Sequence, residues 1–88
     1  MEHLLFTYPA CPKCEALKKF LKEKNLGVQE YNLVLKESKL KIRDFLKVLK
    51  RDDKGAIIIP TLILKDGGEV VGVFNKPEDL DEWLKLRA

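Results

Sequence analysis

Thr7-Tyr8-Pro9-Ala10-Cys11-Pro12-Lys13-Cys14 is the stretch on which the reading of this chain turns. It holds both cysteines of an 88-residue sequence, three positions apart. Before it, His3-Leu4-Leu5-Phe6-Thr7 is an apolar run without alternation, which predicts a strand buried on both faces. After it, Glu15 to Lys24 places Leu17, Phe20 and Leu21 with Cys14 on one side and Lys18, Lys19, Lys22 and Glu23 on the other, the pattern of an amphipathic helix. Pro12 suits the first turn of that helix, where an N–H would lack a partner anyway. A Cys-x-x-Cys pair between a strand and a helix belongs at the helix N-terminus. Unpaired backbone N–H groups and the positive end of the dipole favour a thiolate there. A first cysteine held in that place is a nucleophile, and a second, one turn on, is able to attack a disulfide formed by the first. These are the parts that thiol–disulfide exchange requires.

Outward from that stretch the chain alternates. Asn25-Leu26-Gly27 ends the first helix, with Gly27 expected as its left-handed cap. Val28 to Leu33 predicts a second strand, made parallel to the first by the right-handed crossover of the helix between them. Lys36 to Arg51 predicts a second helix with Ile42, Phe45, Leu46 and Leu49 as its buried stripe, stopped by Asp52-Asp53-Lys54-Gly55. Ala56 to Leu64 looks like one buried strand but contains Pro60, which removes a ladder donor, so the strand is expected to begin at or just after Pro60. Asp66-Gly67 signals a hairpin, with Val70 to Val73 returning antiparallel. Asn75 is expected to cap a last helix, with Pro77 in its first turn and Leu80, Trp83 and Leu84 on its apolar face. The predicted order is β-α-β-α-β-β-α: one α/β domain over residues 1–88, with a four-stranded mixed sheet flanked by three helices.

Composition narrows the function classes. Seventeen basic residues against fourteen acidic ones leave a net charge of +3, and the cations are scattered rather than stacked into a tract, so a nucleic-acid partner is not expected. No apolar run approaches a membrane span, and no charged region followed by an apolar segment and a cleavage site opens the chain. A cytoplasmic location is expected. In that compartment a lone Cys-x-x-Cys is more often catalytic or metal-binding than a structural staple. One pair offers two thiolates where a closed zinc site takes four ligands, and no second cysteine pair or histidine cluster exists. His3, the sole histidine, is placed at the end of its strand far from the cysteines.

Thr7, Pro9, Cys11, Pro12 and Cys14 form a Thr-x-Pro-x-Cys-Pro-x-Cys pattern, followed by Ile59-Pro60-Thr61-Leu62, Asp66-Gly67-Gly68 and Val71-Gly72-Val73-Phe74. Together these motifs resemble the glutaredoxin branch of the thioredoxin superfamily over essentially the full chain. The resemblance implies a thioredoxin fold and a thiol–disulfide oxidoreductase with Cys11 as nucleophile and Cys14 as resolving cysteine. Pro12, Lys13 and Pro60 would support them, with Pro60 cis and facing the pair. Ile59 would pair its backbone with an extended substrate, and Tyr8, Gly72, Val73 and Phe74 would complete the binding surface. From the residues alone, Pro60 reads as a trans proline opening a strand, since cis occurs at only about 5% of X–Pro bonds in folded proteins. Lys13 either favours the thiolate or is a solvated surface lysine, and Tyr8 either contacts substrate or covers its loop.

No bound cofactor and no metal are expected. Electrons would come from glutathione or a flavoprotein reductase. The substrate would be a disulfide-containing protein or a glutathione mixed disulfide, and the chain would act as a monomer away from membranes. Glutathione-dependent members hold the tripeptide with a lysine three residues before the nucleophile and with a Cys-Asp pair opening the last helix. Tyr8 and Val73-Phe74 stand at those places, so weak glutathione binding and better turnover with a flavoprotein reductase are expected. The alternative reading is a metal or iron–sulfur cluster carrier that uses the same cysteines in a dimer.

Overall fold

The computed structural model describes residues 2–87. Met1 and Ala88, the two ends of the domain expected over residues 1–88, lie outside the described residues. The elements are β1 (Glu2–Thr7), α1 (Pro12–Glu23), β2 (Gln29–Asn32), α2 (Lys36–Ile42) with a 3-10 turn at Arg43–Phe45, β3 (Thr61–Asp66), β4 (Glu69–Phe74) and α3 (Pro77–Arg87). The strands lie in the order β2-β1-β3-β4. β1 pairs with β2 in parallel, Phe6 opposite Tyr31, and with β3 antiparallel, Phe6 opposite Thr61. The apolar runs of β1 and β3 follow from their central position: with both faces covered, every residue needs an apolar or satisfied side chain.

Alternate residues of those strands feed two cores. Leu4, Phe6 and Ile63 pack on one face with Leu33, Ile42, Phe45 and Leu49. Leu5, Leu62 and Leu64 pack on the other with Leu17 and Leu21 of α1 and Leu80 of α3. Thus α1 and α3 cover one face and the α2 region covers the opposite one. The β3–β4 hairpin closes through Gly67 and Gly68, at φ 60° and 87°, between the paired residues Asp66 and Glu69. Two consecutive positive φ angles are what a two-residue primed turn requires, and glycine adopts them without steric cost.

Three local expectations are corrected. The left-handed residue after α1 is Asn25, at φ 57°, not Gly27. Leu26 N donates to Leu21 O at 2.9 Å and Asn25 N to Lys22 O at 3.1 Å, the paired bonds of a Schellman ending. The second helix does not run to Arg51. It ends at Ile42 and tightens into the 3-10 turn, so Ile42, Phe45 and Leu49 are buried while Leu46 is turned out, 42% exposed. The chain then leaves as an extended bridge, Arg51 opposite Ile57, with Ile58 N donating to Lys50 O at 3.1 Å. A helix through Arg51 would forfeit that pairing. Finally, α3 starts at Pro77, and Lys76 rather than Asn75 precedes it, its carbonyl accepting from Leu80 N at 3.4 Å.

Candidate active site

The site lies where β1, β2 and β4 end and β3 begins. Thr7 ends β1 opposite Asn32, which ends β2. Thr61 starts β3 beside Phe6, and Phe74 ends β4 opposite Leu62. The loop from Tyr8 to Cys11 and the Ile59–Pro60 step therefore emerge at the same edge. Ala10 turns the loop at φ 52°, an unusual angle for a residue with a Cβ. Cys11 follows as the N-cap of α1, extended at φ −112° and ψ 106°, with Pro12 in the first turn. The Cys14 N–H donates to Cys11 Sγ at 3.2 Å, so the sulfur occupies the place of a capping oxygen. A sulfur held there faces the positive end of the helix dipole, which favours negative charge on it.

Cys11 is half-buried, whereas Cys14 is fully enclosed. Burial pushes the Cys14 thiol up to about 11 from an ordinary 9.0, and its hydrogen bond to Cys11 adds to the rise; the Tyr8 backbone and the Lys18 charge pull the other way. The two thiols are thus unlike: one accessible and set on a helix N-terminus, the other withdrawn and protonated.

Behind Cys14 lies a polar chain that the sequence did not disclose. The Thr7 hydroxyl, almost wholly buried, donates to Glu30 Oε2 at 2.8 Å. Lys18 Nζ approaches the same oxygen at 2.8 Å and Glu15 Oε1 at 3.4 Å. The Lys18 ammonium holds Glu30 below the usual carboxylate range, and Glu30 in turn raises Lys18. Lys18 stands four residues after Cys14 on the same helix face, which corrects its expected place on the side opposite Cys14. Lys18 looked like a solvated lysine because only the strand pairing brings Glu30 to it.

The Ile59–Pro60 bond is cis. Among the described residues neither the N–H nor the C=O of Ile59 has a hydrogen-bond partner. The segment is held from one side by Asn75, whose Nδ2 lies 3.0 Å from Ile58 O, 2.9 Å from Pro60 O and 3.0 Å from Thr61 Oγ1. The amide must face this way, since a flip would set Oδ1 against two carbonyl oxygens. Asn75 Oδ1 is left buried without a partner. A cap signal in the sequence concealed this clamp.

Two cavities meet at Ile59. One, of about 420 Å³, is walled by Tyr8, Leu33, Ile42 and Ile57, with Lys39 and Arg51 at its rim. The other, of about 260 Å³, lies between Lys13 and Ala16 of α1, the Ile58–Pro60 segment and Asn75 to Glu78. Tyr8 lines the first, Lys13 and Pro60 the second, and Ile59 both, while neither is lined by Cys11 or Cys14. Gly72, Val73 and Phe74 do not line either cavity. Gly72 pairs with Leu64 inside β4, Val73 packs toward the core, and the Phe74 ring is buried 5.7 Å from the Trp83 ring. Asn75 to Glu78 wall the smaller cavity instead. Among the described residues no group of three or more His, Cys, Asp or Glu is gathered to hold a metal ion, and no helix is long and apolar enough to cross a membrane.

This sheet order with a Cys-x-x-Cys helix N-terminus beside a cis-proline defines the thioredoxin fold. The glutaredoxin family model matches residues 4–71, and the chain belongs to that family. Among solved structures it is similar to the thioredoxin-like protein BC3987, at 27% identity and TM-score 0.58 over 92% of this chain and 97% of that one. A mutant of BC3987 aligns at 26% identity and TM-score 0.60 over 94% of this chain and 99% of that one. Glutaredoxin 1 from Francisella tularensis, complexed with cacodylate, shares the fold at 19% identity and TM-score 0.58, with 96% of each chain covered. Among curated proteins no sequence matches the chain.

Proposed function

We propose that this chain reduces disulfides through the Cys11–Cys14 dithiol. The Cys11 thiolate attacks one sulfur of a substrate disulfide. A Cys11–substrate bond forms, the substrate S–S bond breaks, and the leaving thiolate takes up a proton. Cys14 then gives up its proton and attacks Cys11 Sγ. The Cys11–Cys14 disulfide forms, and the second substrate thiol departs. Two electrons pass from the dithiol to the substrate, and glutathione or a flavoprotein reductase returns them. The chain works as a cytoplasmic monomer on disulfide-bearing proteins or glutathione mixed disulfides, with no bound cofactor.

The observation that carries this reading is the inequality of the thiols: Cys11 Sγ caps α1, and Cys14 is enclosed with its thiol pushed up to about 11. The unpaired N–H and C=O of Ile59 support pairing with an extended substrate backbone. The test is mass spectrometry after reaction with oxidised glutathione. Cys14→Ser should hold a stable glutathione adduct on Cys11, and Cys11→Ser should form none at comparable rate. An adduct forming equally fast on Cys14 reverses the assignment. A paired assay, glutathione with its reductase against NADPH with thioredoxin reductase, identifies the electron source.

A further inference from the structure

The charges lining the two cavities that meet at Ile59 are not distributed like those of the chain as a whole. Lys39 and Arg51 rim the larger cavity, Lys13 and Lys76 border the smaller, and Glu78 is the one acidic residue lining either. Four cations against one anion match the net charge of the entire chain, +3, so the remaining surface is balanced. None of the four cations forms an ion pair among the described residues. Arg51 is nonetheless fixed: its Nη1 donates to Gly55 O at 2.9 Å, and its backbone is bridged to Ile57. A guanidinium presents five N–H donors, so this bond leaves a pre-positioned fork free for a carboxylate. Beneath the rim the larger cavity is apolar, walled by Leu33, Ile42, Ile57 and Ile59.

We propose that the site selects acidic polypeptide segments. The occupant is an extended, disulfide-bearing stretch whose backbone pairs with Ile59. A large apolar side chain next to its cysteine enters the cavity beside Tyr8, and flanking Asp or Glu side chains meet Lys39 and Arg51 on one side and Lys13 and Lys76 on the other. The inference rests on the disulfide-reductase reading and names its substrate class. Complementary charge at a partly exposed rim acts chiefly on encounter, so the preference is read in the second-order rate and weakens with salt.

The test uses the full reduced chain and one Leu-Cys peptide as its mixed disulfide with 2-mercaptoethanol. Two flanking positions are Asp, Asn or Lys. Release of the peptide thiol gives the rate. At an ionic strength of about 0.02 M the Asp peptide should react at least about tenfold faster than the Lys peptide, falling to about twofold at about 0.5 M, where the Debye length is near 4 Å. In Lys39→Gln/Arg51→Gln the ratio of the two rates should shrink at least about threefold. A ratio cancels any general loss of active protein. Turnover of bis(2-hydroxyethyl) disulfide with no charge preference among the peptides overturns this inference alone. A ratio insensitive to salt and to the double substitution also overturns it. No turnover even of that uncharged disulfide overturns the redox reading and this inference with it.

Discussion

Replacing Asn75 should loosen the Ile58–Thr61 segment that holds the cis-proline, and the size of the effect follows from three contacts. Asn75 Nδ2 lies within 3.0 Å of Ile58 O, Pro60 O and Thr61 Oγ1. In Asn75→Ala, Ile58 O keeps the Thr61 hydroxyl as donor, but Pro60 O loses the Asn75 amide. Losing two neutral donors and orphaning one carbonyl costs about 2 kcal/mol, or about 8–16 °C in Tm for a domain of this size. Asn75→Asp should be worse at pH 7, by about 1 kcal/mol or more, because an acceptor replaces a donor among three oxygens. The Asp variant also carries a pH signature. Those oxygens disfavour the carboxylate, so its folded pKa rises above the unfolded value of about 3.9. Relative to wild type, its stability is then fullest below about pH 4 and is lost as pH rises through the folded pKa. Denaturant melts of the three proteins from pH 4 to 8 decide the matter. An Asp variant as stable as wild type at pH 7, or a gap that does not narrow in acid, refutes the clamp.

Gly72→Ala should destabilise the fold by about 1–3 kcal/mol, since a Cβ there would stand 2.6 Å from the Phe74 ring, which is buried against Trp83; a change below about 0.5 kcal/mol in chemical denaturation would show that the ring gives way freely. Closure of the Cys11–Cys14 disulfide from a mixed disulfide should quicken about tenfold per pH unit between about pH 6 and 8, because burial keeps Cys14 protonated in that range. A flat profile in stopped-flow measurements would contradict the enclosed thiol. Lys18→Gln should slow that closure several-fold at pH 7 and Lys18→Arg should restore it, since the Lys18 charge favours the Cys14 thiolate; equal rates in all three proteins would remove Lys18 from the chemistry. The reduced fold should also lose stability between pH 9.0 and about 11, where unfolded Cys14 ionises and the folded thiol does not, while the oxidised fold should not.

What could be read from sequence is what is encoded locally. Cys11, Pro12 and Cys14 carry their own geometry, because a capping residue, a first-turn proline and a residue one turn later fix each other on α1. Gly67 and Gly68 specify their turn, and Pro60 excludes itself from a ladder, so the hairpin and the start of β3 were legible from single residues. The end of α2 was not. Ile42, Phe45, Leu46 and Leu49 fit a continuous helix as well as they fit a helix, a 3-10 turn and a bridge. Only the pairing of Arg51 with Ile57, which depends on the loop folding back, chooses between them.

The same distinction separates the two thiols from the groups around them. The dithiol is contiguous in sequence, but its surroundings are assembled from places far apart in the chain. Thr7 and Glu30 meet across a parallel strand pair, and Lys18 reaches them from the helix above. Asn75 crosses from the end of β4 to Ile58 and Pro60. Lys39 and Arg51 line one cavity and Lys13 and Lys76 the other, from four separate segments, which is why the cations looked scattered along the chain. A net charge of +3 spread over 88 residues suggests nothing; gathered along the two cavities that meet at Ile59, the same charge makes a local field. The sequence therefore sets the two thiols one turn apart, and the fold decides what surrounds them.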